Sequence, residues 1–493
     1  MMIFITILTL IVAKALPVLN TNLSTIHFTR ISSLVLFFSS LLSIQIFNIQ
    51  SIGNGIGLYS GLFHITQINI YFEILILIIG GLIIIGIYKN TSNKSIDYTI
   101  IILFSILGSI LLLSSYDILS LYLSLELQSF GLYILSTLYR DSYSSTSSGL
   151  KYFLLGGLSS CIILLGIGLI YSYTGLTNYE SLYILNSSSN SIGLNIGILL
   201  VFIGLLFKIS AAPLHNWSPD VYDGVPTIVT TYLTIIPKIS ILILMLELLS
   251  NIVNSNHLLI INVVNLLEIG EFNQPLQNLL LISSLLSLII GSILGLAQIK
   301  IKRLLAYSTI SHIGFILLAL GINTSQSIDS FLFYILQYTI TNLNIFLIIL
   351  GLSYILKKES DINYLNEFIG IFKYYPILSI CFCICLFSMA GIPPLLGFFS
   401  KQYVLYASLQ NGYYLISFVG IIVSVISASY YLKIVKLIMN NDSNNNIKDN
   451  ISEISNIHSY IISCLTLFIL LFFINPNIIL NSTQLLSLSL FYI

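Results

Sequence analysis

Fourteen apolar runs, most of them close to 20 residues long, take up the greater part of this 493-residue sequence. They fall near 1–19, 28–47, 68–88, 98–115, 117–138, 150–173, 192–217, 226–249, 277–297, 303–322, 328–356, 376–409, 413–438 and 457–475. About 20 apolar residues in helical form cross the roughly 30 Å of bilayer hydrocarbon. Inside lipid, only helices and closed barrels satisfy every backbone group. The expectation is an all-α, polytopic membrane protein of about 14 transmembrane helices. Charge agrees: 7% of residues are charged, where a soluble domain carries about 25%. Net charge is zero, so no basic field points to nucleic acid. Met1 leads straight into an apolar run, with no charged n-region and no small-residue cleavage site, so no cleavable leader is expected.

The basic residues test the number of runs. Lys and Arg gather in or beside alternate connections: Arg30; Lys89 and Lys94; Arg140 and Lys151; Lys300, Lys302 and Arg303; Lys357, Lys358 and Lys373; Lys433, Lys436 and Lys448. Losing or gaining one helix would destroy that alternation. By the positive-inside rule these connections share the cytoplasmic face or its organelle equivalent, which puts both termini on the other side. Four lysines remain, Lys14, Lys208, Lys238 and Lys401, and they fall within the runs themselves. Lys14 lies near the polar Asn20 and can snorkel to the interface.

Two segments resemble each other, Ser129 to Leu135 and Ser311 to Leu317, and each is followed by a proline-bearing partner. Ala211-Ala212-Pro213-Leu214 follows the first and Gly391-Ile392-Pro393-Pro394-Leu395 the second, at nearly equal spacing. The matches align run 5 with run 10 and run 7 with run 12. An offset of five is odd, so the second copy enters the membrane from the opposite side. Proline removes a donor and crowds the preceding turn, so runs 7 and 12 should be discontinuous. Inverted repeats with paired broken helices point to a transport site near the midplane. The expected divisions are helices 1 to 3 in 1–97, a first five-helix repeat in 98–249, an inverted second repeat in 277–438, and a polar loop with a final helix in 439–493.

Charged groups concentrate at that depth. At about 1.5 Å per residue, Glu126 lies about 14 Å from the helix end at Asp117, and Lys401 about 15 Å from Asn411. Lys238 is centred between Pro226 and Ser250, Lys208 precedes the break at Pro213, and His312 sits at a similar depth. An ionisable group inside a membrane is costly and marks an ion or proton path. Glu126, Lys208, Lys238 and Lys401 form the candidate relay, with His312 a further member. Glu73 and Glu247 fall near helix ends, where interfacial placement is expected, and Asp220 and Asp223 sit in a Pro/Gly segment expected to be solvated. Cys381, Cys383 and Cys385 lie in an apolar run without a nearby His or acid, so they read as packed thiols rather than a metal site. Gly53-Asn54-Gly55-Ile56-Gly57 lacks the strand–turn–helix context of a phosphate cradle. No cofactor is expected.

Three motifs then carry a resemblance. They are Phe207-Lys208 with Pro213-Leu214-His215-Asn216-Trp217-Ser218-Pro219-Asp220-Val221-Tyr222-Asp223-Gly224-Val225-Pro226, Lys302-Arg303-Leu304-Leu305-Ala306-Tyr307-Ser308-Thr309-Ile310-Ser311-His312-Ile313-Gly314, and Gly391 through Lys401. Together they resemble the antiporter-like membrane subunits of respiratory complex I, over runs 4 to 13. The lysine on broken run 12 and the Ile-, Asn- and Tyr-rich usage of an AT-rich gene resemble the mitochondrial members in their full-length form. Runs 1 to 3 carry no matching motif. The resemblance implies that Glu126, Lys208, Lys238 and Lys401 form a proton-conducting axis. Redox chemistry in other subunits, from NADH to ubiquinone, would drive it. It further implies neighbouring membrane-arm subunits, lipids, protons and buried water as partners, and a mitochondrial inner membrane location with both termini toward the intermembrane space. The alternative is a subunit of a multi-subunit cation/proton antiporter, which shares the fold.

Overall fold

The computed structural model describes residues 1–16, 25–47, 55–86, 94–188, 192–250, 273–355, 361–440 and 455–491. Lys89, Lys357, Lys358, Lys448, Gly53, Asn54 and most of the polar stretch from Asn440 to Asn456 lie outside the described residues. The chain begins with helices α1 (Met2–Ala15) and α2 (Thr25–Ile46), a hairpin of β1 (Ile56–Leu58) and β2 (Phe63–Ile65), and α3 (Gln67–Ile85). Then come α4 (Lys94–Leu113), α5 (Ile118–Thr137), α6 (Tyr143–Thr174), α7 (Tyr179–Ser188), α8 (Ile192–Lys208), α9 (Trp217–Gly224) and α10 (Thr227–Leu248). The second half holds α11 (Asn273–Leu296), α12 (Ile301–Ile322), α13 (Ser325–Ile355), the short α14 (Ile371–Tyr374), α15 (Pro376–Ala390), α16 (Leu396–Gln410) and α17 (Tyr414–Met439). It closes with α18 (Asn456–Leu471) and α19 (Asn477–Phe491). Among the described residues, ten helices are long and apolar enough to cross a membrane, and four apolar helices are shorter. Each of the fourteen runs read from the sequence overlaps one of these.

Several elements differ from expectation, among them the β1–β2 hairpin and α7, which no apolar run announced. Helix α6 begins at Tyr143 rather than 150, because the serines of its first turns bond back to the helix, as Ser148 Oγ does to the Ser145 carbonyl at 3.0 Å. Helix α19 follows the expected final helix. Its Asn, Ser and Thr residues lower its apolarity, yet Ser487 and Ser489 likewise bond back to Gln484 and Leu486. It packs against α13.

A helix apolar on all sides is either buried or facing lipid, and both kinds occur. Every residue of α10 is buried, as are nearly all of α12 and α13. Helices α2, α6 and α17 instead expose Leu34, Leu150 and Phe418. Without a hydrophobic drive between helices in lipid, small residues set the close approaches. A Cβ on Gly108 of α4 would lie 2.7 Å from the Gln128 nitrogen of α5, and one on Gly131 3.0 Å from Ser105 Cβ. Helices α11 and α12 repeat the arrangement: a Cβ on Gly291 would meet the Ser311 nitrogen at 2.6 Å, and one on Gly314 the Ser287 hydroxyl at 2.5 Å. Gly108 and Gly131 stand as far apart in the chain as Gly291 and Gly314 do.

One face of the bundle carries a network of ion pairs. Asp220 and Asp223 lie on α9 rather than in a loop, Asp220 still 39% exposed and Asp223 only 10%, and Lys300 and Arg303 at the start of α12 reach them. Lys300 meets Asp223 at 2.8 Å, and Arg303 meets Asp223 and Asp220 at 3.1 Å each. Lys151 on α6 adds a 2.9 Å contact to Asp220. Beneath them, Lys302 donates to the Val225 carbonyl at 2.8 Å and pairs with Asp361 at 2.7 Å. Asp361 accepts from the Thr227 backbone N–H at 2.8 Å, which anchors the first turn of α10. Burial alone would raise the Asp361 carboxyl. The Lys302 charge, with hydrogen bonds from Lys302 and Thr227, outweighs burial and holds it below the usual carboxylate range.

A depressed carboxyl contributes stability above its unfolded value of about 4, and that stability is lost as pH falls through the folded value. Asp361→Asn leaves the Lys302 ammonium buried without its counter-charge. It is expected to cost about 3 kcal/mol, the lower end for a broken buried pair because Asp361 is partly exposed. A lowered thermal midpoint of the extracted protein, with little further loss on acidification, is the expected result; an unchanged midpoint would contradict the role given to this pair.

Candidate functional site

The two proline-bearing runs are discontinuous, and the breaks are built differently. Helix α8 ends at Lys208 and the chain resumes as α9 at Trp217. A break frees the carbonyls of the preceding turn, which must find other donors. The Trp217 indole N–H donates to the Phe207 carbonyl at 3.0 Å, and its ring stacks on Tyr152 with centroids 4.9 Å apart. At the second break α15 ends at Ala390 and is capped by Gly391, whose φ of +87° favours glycine. Here Lys401 itself satisfies the helix end: its ammonium donates to the Met389 and Ala390 carbonyls, each at 2.9 Å. A cation at a helix C-terminus is also favoured by the helix dipole. Gly397 lies so close to the Ser388 carbonyl that a Cβ there would sit 1.7 Å from its oxygen.

The charged residues singled out from the sequence fall into three groups. Lys208 on α8 and Glu126 on α5 are 3.5 Å apart, with side chains 8% and 14% exposed. The second Glu126 oxygen accepts from the Ser129 hydroxyl at 3.2 Å. A cavity with room for a water molecule by size adjoins Lys208, lined by Gln128, Ser129, Tyr133, Trp217 and Pro237. Gln128 continues from there to α10, donating to Ser240 Oγ at 2.9 Å.

Lys238 stands alone at the centre of α10, 2% exposed. Its ammonium donates to Thr309 Oγ1 at 3.1 Å and lies 5.5 Å from the Tyr222 ring centroid. No carboxylate lies within 4 Å of it among the described residues. Pro237 precedes it inside the helix, and the Tyr338 hydroxyl donates to the Thr234 carbonyl of that interrupted turn at 3.0 Å.

His312 sits between the second and third groups, near both Lys238 and Lys401. Its Nδ1 faces the Tyr334 hydroxyl at 2.8 Å and its Nε2 the Tyr431 hydroxyl at 3.3 Å. Lys401 is 6% exposed and lies 5.8 Å from the Phe315 ring centroid. Lys14 stays apart from all of these, half-exposed and paired with Asp97.

The polar side chains between these groups were not singled out in the sequence. Helix α13 buries Gln337, Thr341, Asn342 and Asn344, each at most 1% exposed. Gln337 donates to Thr341 at 3.4 Å, Thr341 reaches Met389 Sδ at 3.3 Å, and Asn344 reaches Cys385 Sγ at 3.1 Å. Thus α13 lays amides and a hydroxyl along α15 up to the break at Lys401. Gln337 Oε1, Asn344 Oδ1 and both polar side-chain atoms of Asn342 lack protein partners. Buried polar groups left unpaired call for water. Three amides within one apolar run are the signal that could have found this stripe. All five cysteines are free. No cluster of metal-ligating residues occurs among the described residues.

Lysine, histidine and carboxylate side chains are chemically able to take up and release protons. Comparison with known proteins agrees in kind. The family model of NADH:quinone oxidoreductase/Mrp antiporter transmembrane proteins matches residues 115–427. NADH-ubiquinone oxidoreductase chain 2 of Rhizopus oryzae is 45% identical, with 100% of both chains covered. Among solved structures, a chain of respiratory complex I from Thermus thermophilus superposes with a TM-score of 0.77 at 24% identity, covering 98% of this chain and 99% of that one. A chain of the Mrp complex from a Dietzia species gives 0.80 at 17% identity, covering 99% and 97%.

Proposed function

Because the chain belongs to the NADH:quinone oxidoreductase/Mrp antiporter membrane family, we propose that it is a proton-translocating, non-redox subunit of NADH:ubiquinone oxidoreductase in the mitochondrial inner membrane. The observation that carries this reading is the row of buried ionisable groups, Glu126, Lys208, Lys238, His312 and Lys401, on helices that surround two breaks. Full-length similarity to chain 2 of a fungal oxidoreductase favours it over an antiporter subunit.

The chain is read as two repeats, α4 to α10 and α11 to α17, related by inversion, after three N-terminal helices. The recurring glycine approaches of α4–α5 and α11–α12 support that division. Within the first repeat, Glu126 and Lys208 act as a switchable pair. Lys238 receives the proton by way of Gln128, Ser240 and water, and His312 relays it between Lys238 and Lys401. Electrons pass elsewhere; this chain contributes the path and the neighbouring membrane-arm subunits contribute the drive. Both termini lie on the intermembrane-space side, since Lys300, Lys302 and Arg303 mark the opposite one.

The test of identity is the native complex. Purified from its membrane by a tag on this chain, it is expected to oxidise NADH with a quinone as acceptor and to contain the redox subunits. Co-purification with other antiporter-like chains alone, without NADH oxidation, would establish the antiporter reading instead.

A further inference from the structure

Among the described residues, Glu247 is a buried carboxylate that the relay does not use. Glu247 lies in the last turn of α10, where interfacial placement was expected, yet it is 6% exposed. No cation pairs with it among the described residues. The Asn69 side chain of α3 faces it. Asn69 is 4% exposed, its Nδ2 donates to the His64 carbonyl at 3.1 Å, and its Oδ1 has no partner. Tyr179 at the start of α7 lies near Glu247; it is fully buried and its hydroxyl has no partner within hydrogen-bonding geometry. Two buried polar atoms without protein partners beside a carboxyl that no cation pairs with call for water there.

The position has a direction. Helix α10 starts at the basic face, where Thr227 bonds Asp361, and ends against the opposite one. There the hairpin sits on the α4–α5 connection through the Phe63–Ser115 bridge, and Asp117 bridges to Asn178. From Tyr179 a short aromatic series leads outward: its ring lies 5.4 Å from Tyr116, and Tyr116 lies 4.6 Å from His64. Exposed Glu180 stands beside Tyr116 and His64. Inward, Ser240 is seven residues before Glu247 and so shares its face of α10. Lys238 is nine residues away, about 14 Å along the axis and half a turn round it, so Ser240 rather than Lys238 lies on the Glu247 face of α10.

We infer that Glu247 is the proton-exchange carboxylate through which the midplane chain communicates with the face opposite the basic loops, with Asn69 and Tyr179 holding the water that connects it. This rests on the proton-translocating reading above. A buried glutamate with only a packing role is the rival. Glutamine preserves shape and hydrogen bonding but cannot carry a proton, whereas aspartate can.

The experiment uses the assembled complex in sealed membrane vesicles, with proton yield per NADH and coupled turnover as readouts. Glu247→Gln is expected to lose at least about half of the coupled turnover together with proton yield, and Glu247→Asp to retain most of both. An assembled Glu247→Gln complex with full proton yield overturns the inference. If Lys238→Met fails in the same assay, the proton-translocating reading survives that result; if both variants pump normally, both readings fall. Should Glu247→Gln not assemble, NADH-induced infrared difference spectra of the native and Glu247→Asp complexes decide. A carboxyl band that moves with the substitution supports the role, and identical spectra overturn it.

Discussion

Replacing Lys238 by Met is expected to reduce NADH-driven proton translocation by at least about tenfold, the least expected on losing an obligatory proton carrier, while the complex still assembles. Methionine retains the unbranched apolar stem and fits among the wholly buried residues of α10. What it removes is one hydrogen bond to Thr309 and a cation facing the Tyr222 ring. A single hydrogen bond from a charged group contributes about 1.5–3 kcal/mol net, and Thr309 keeps its bond to the Ala306 carbonyl, so folding should survive the loss. Lys238 has no fixed counter-charge within 4 Å among the described residues, so its charge state answers to whichever charge approaches along the axis. Glutamate on α5 and carbonyls on α15 already hold Lys208 and Lys401 respectively. Lys238 is therefore the member for which a structural account is weakest. Normal proton yield in an assembled Lys238→Met complex would remove it from the path.

Glu126→Gln should separate two accounts of the Glu126–Lys208 pair. Two unit charges about 4 Å apart attract by about 4 kcal/mol at an effective dielectric of 20, so parting Glu126 from Lys208 is costly unless another charge replaces it. The observed 3.5 Å is at the long limit for a hydrogen bond, and the adjoining cavity gives the lysine head water to turn toward. A switch works by separation: when Glu126 is drawn to another charge, Lys208 gives up its proton toward Lys238. A static pair only offsets two desolvation costs. Under the switch, Glu126→Gln assembles but loses most coupled turnover and proton yield. Under the static pair, the loss appears as less assembled complex with normal yield per complex. Measuring both on the same membranes distinguishes them, and unimpaired coupled turnover in assembled Glu126→Gln defeats the switch.

What could be read from the chain followed from energetic cost. In a sequence with 7% charged residues, a lysine inside an apolar run is conspicuous because lipid penalises it heavily. Hence Lys208, Lys238 and Lys401 stood out, and so did the prolines at the two breaks. Neutral partners carry no such mark. Gln337, Asn342 and Asn344 become a stripe only once the rotation of α13 against α15 is known. The ion pairs of Asp220 and Asp223 join α9 to α12 across some 80 positions of chain, so neighbouring Pro and Gly suggested a solvated loop. Glu247 misled for a related reason. Its distance from the helix end is short, but α3 packs beside that end, and helical rise measures depth along one axis without recording what lies beside it.

The ion pairs of the basic face bear on how the molecule can move. They fasten α9, just beyond the first break, to the first turn of α12, and Asp361 ties that same corner to α10. A transporter whose halves swing alternately to either side must open a seam at each face in turn. Here one seam is riveted by several charge pairs, two of them sharing Asp223, and these would have to part together. On the proton-translocating reading proposed above, the scaffold would serve as a frame, and what would shuttle within it is small: lysine heads, a carboxylate, water. Such a machine would pass protons by rearranging its contents, much as a lock moves water while its walls stand still.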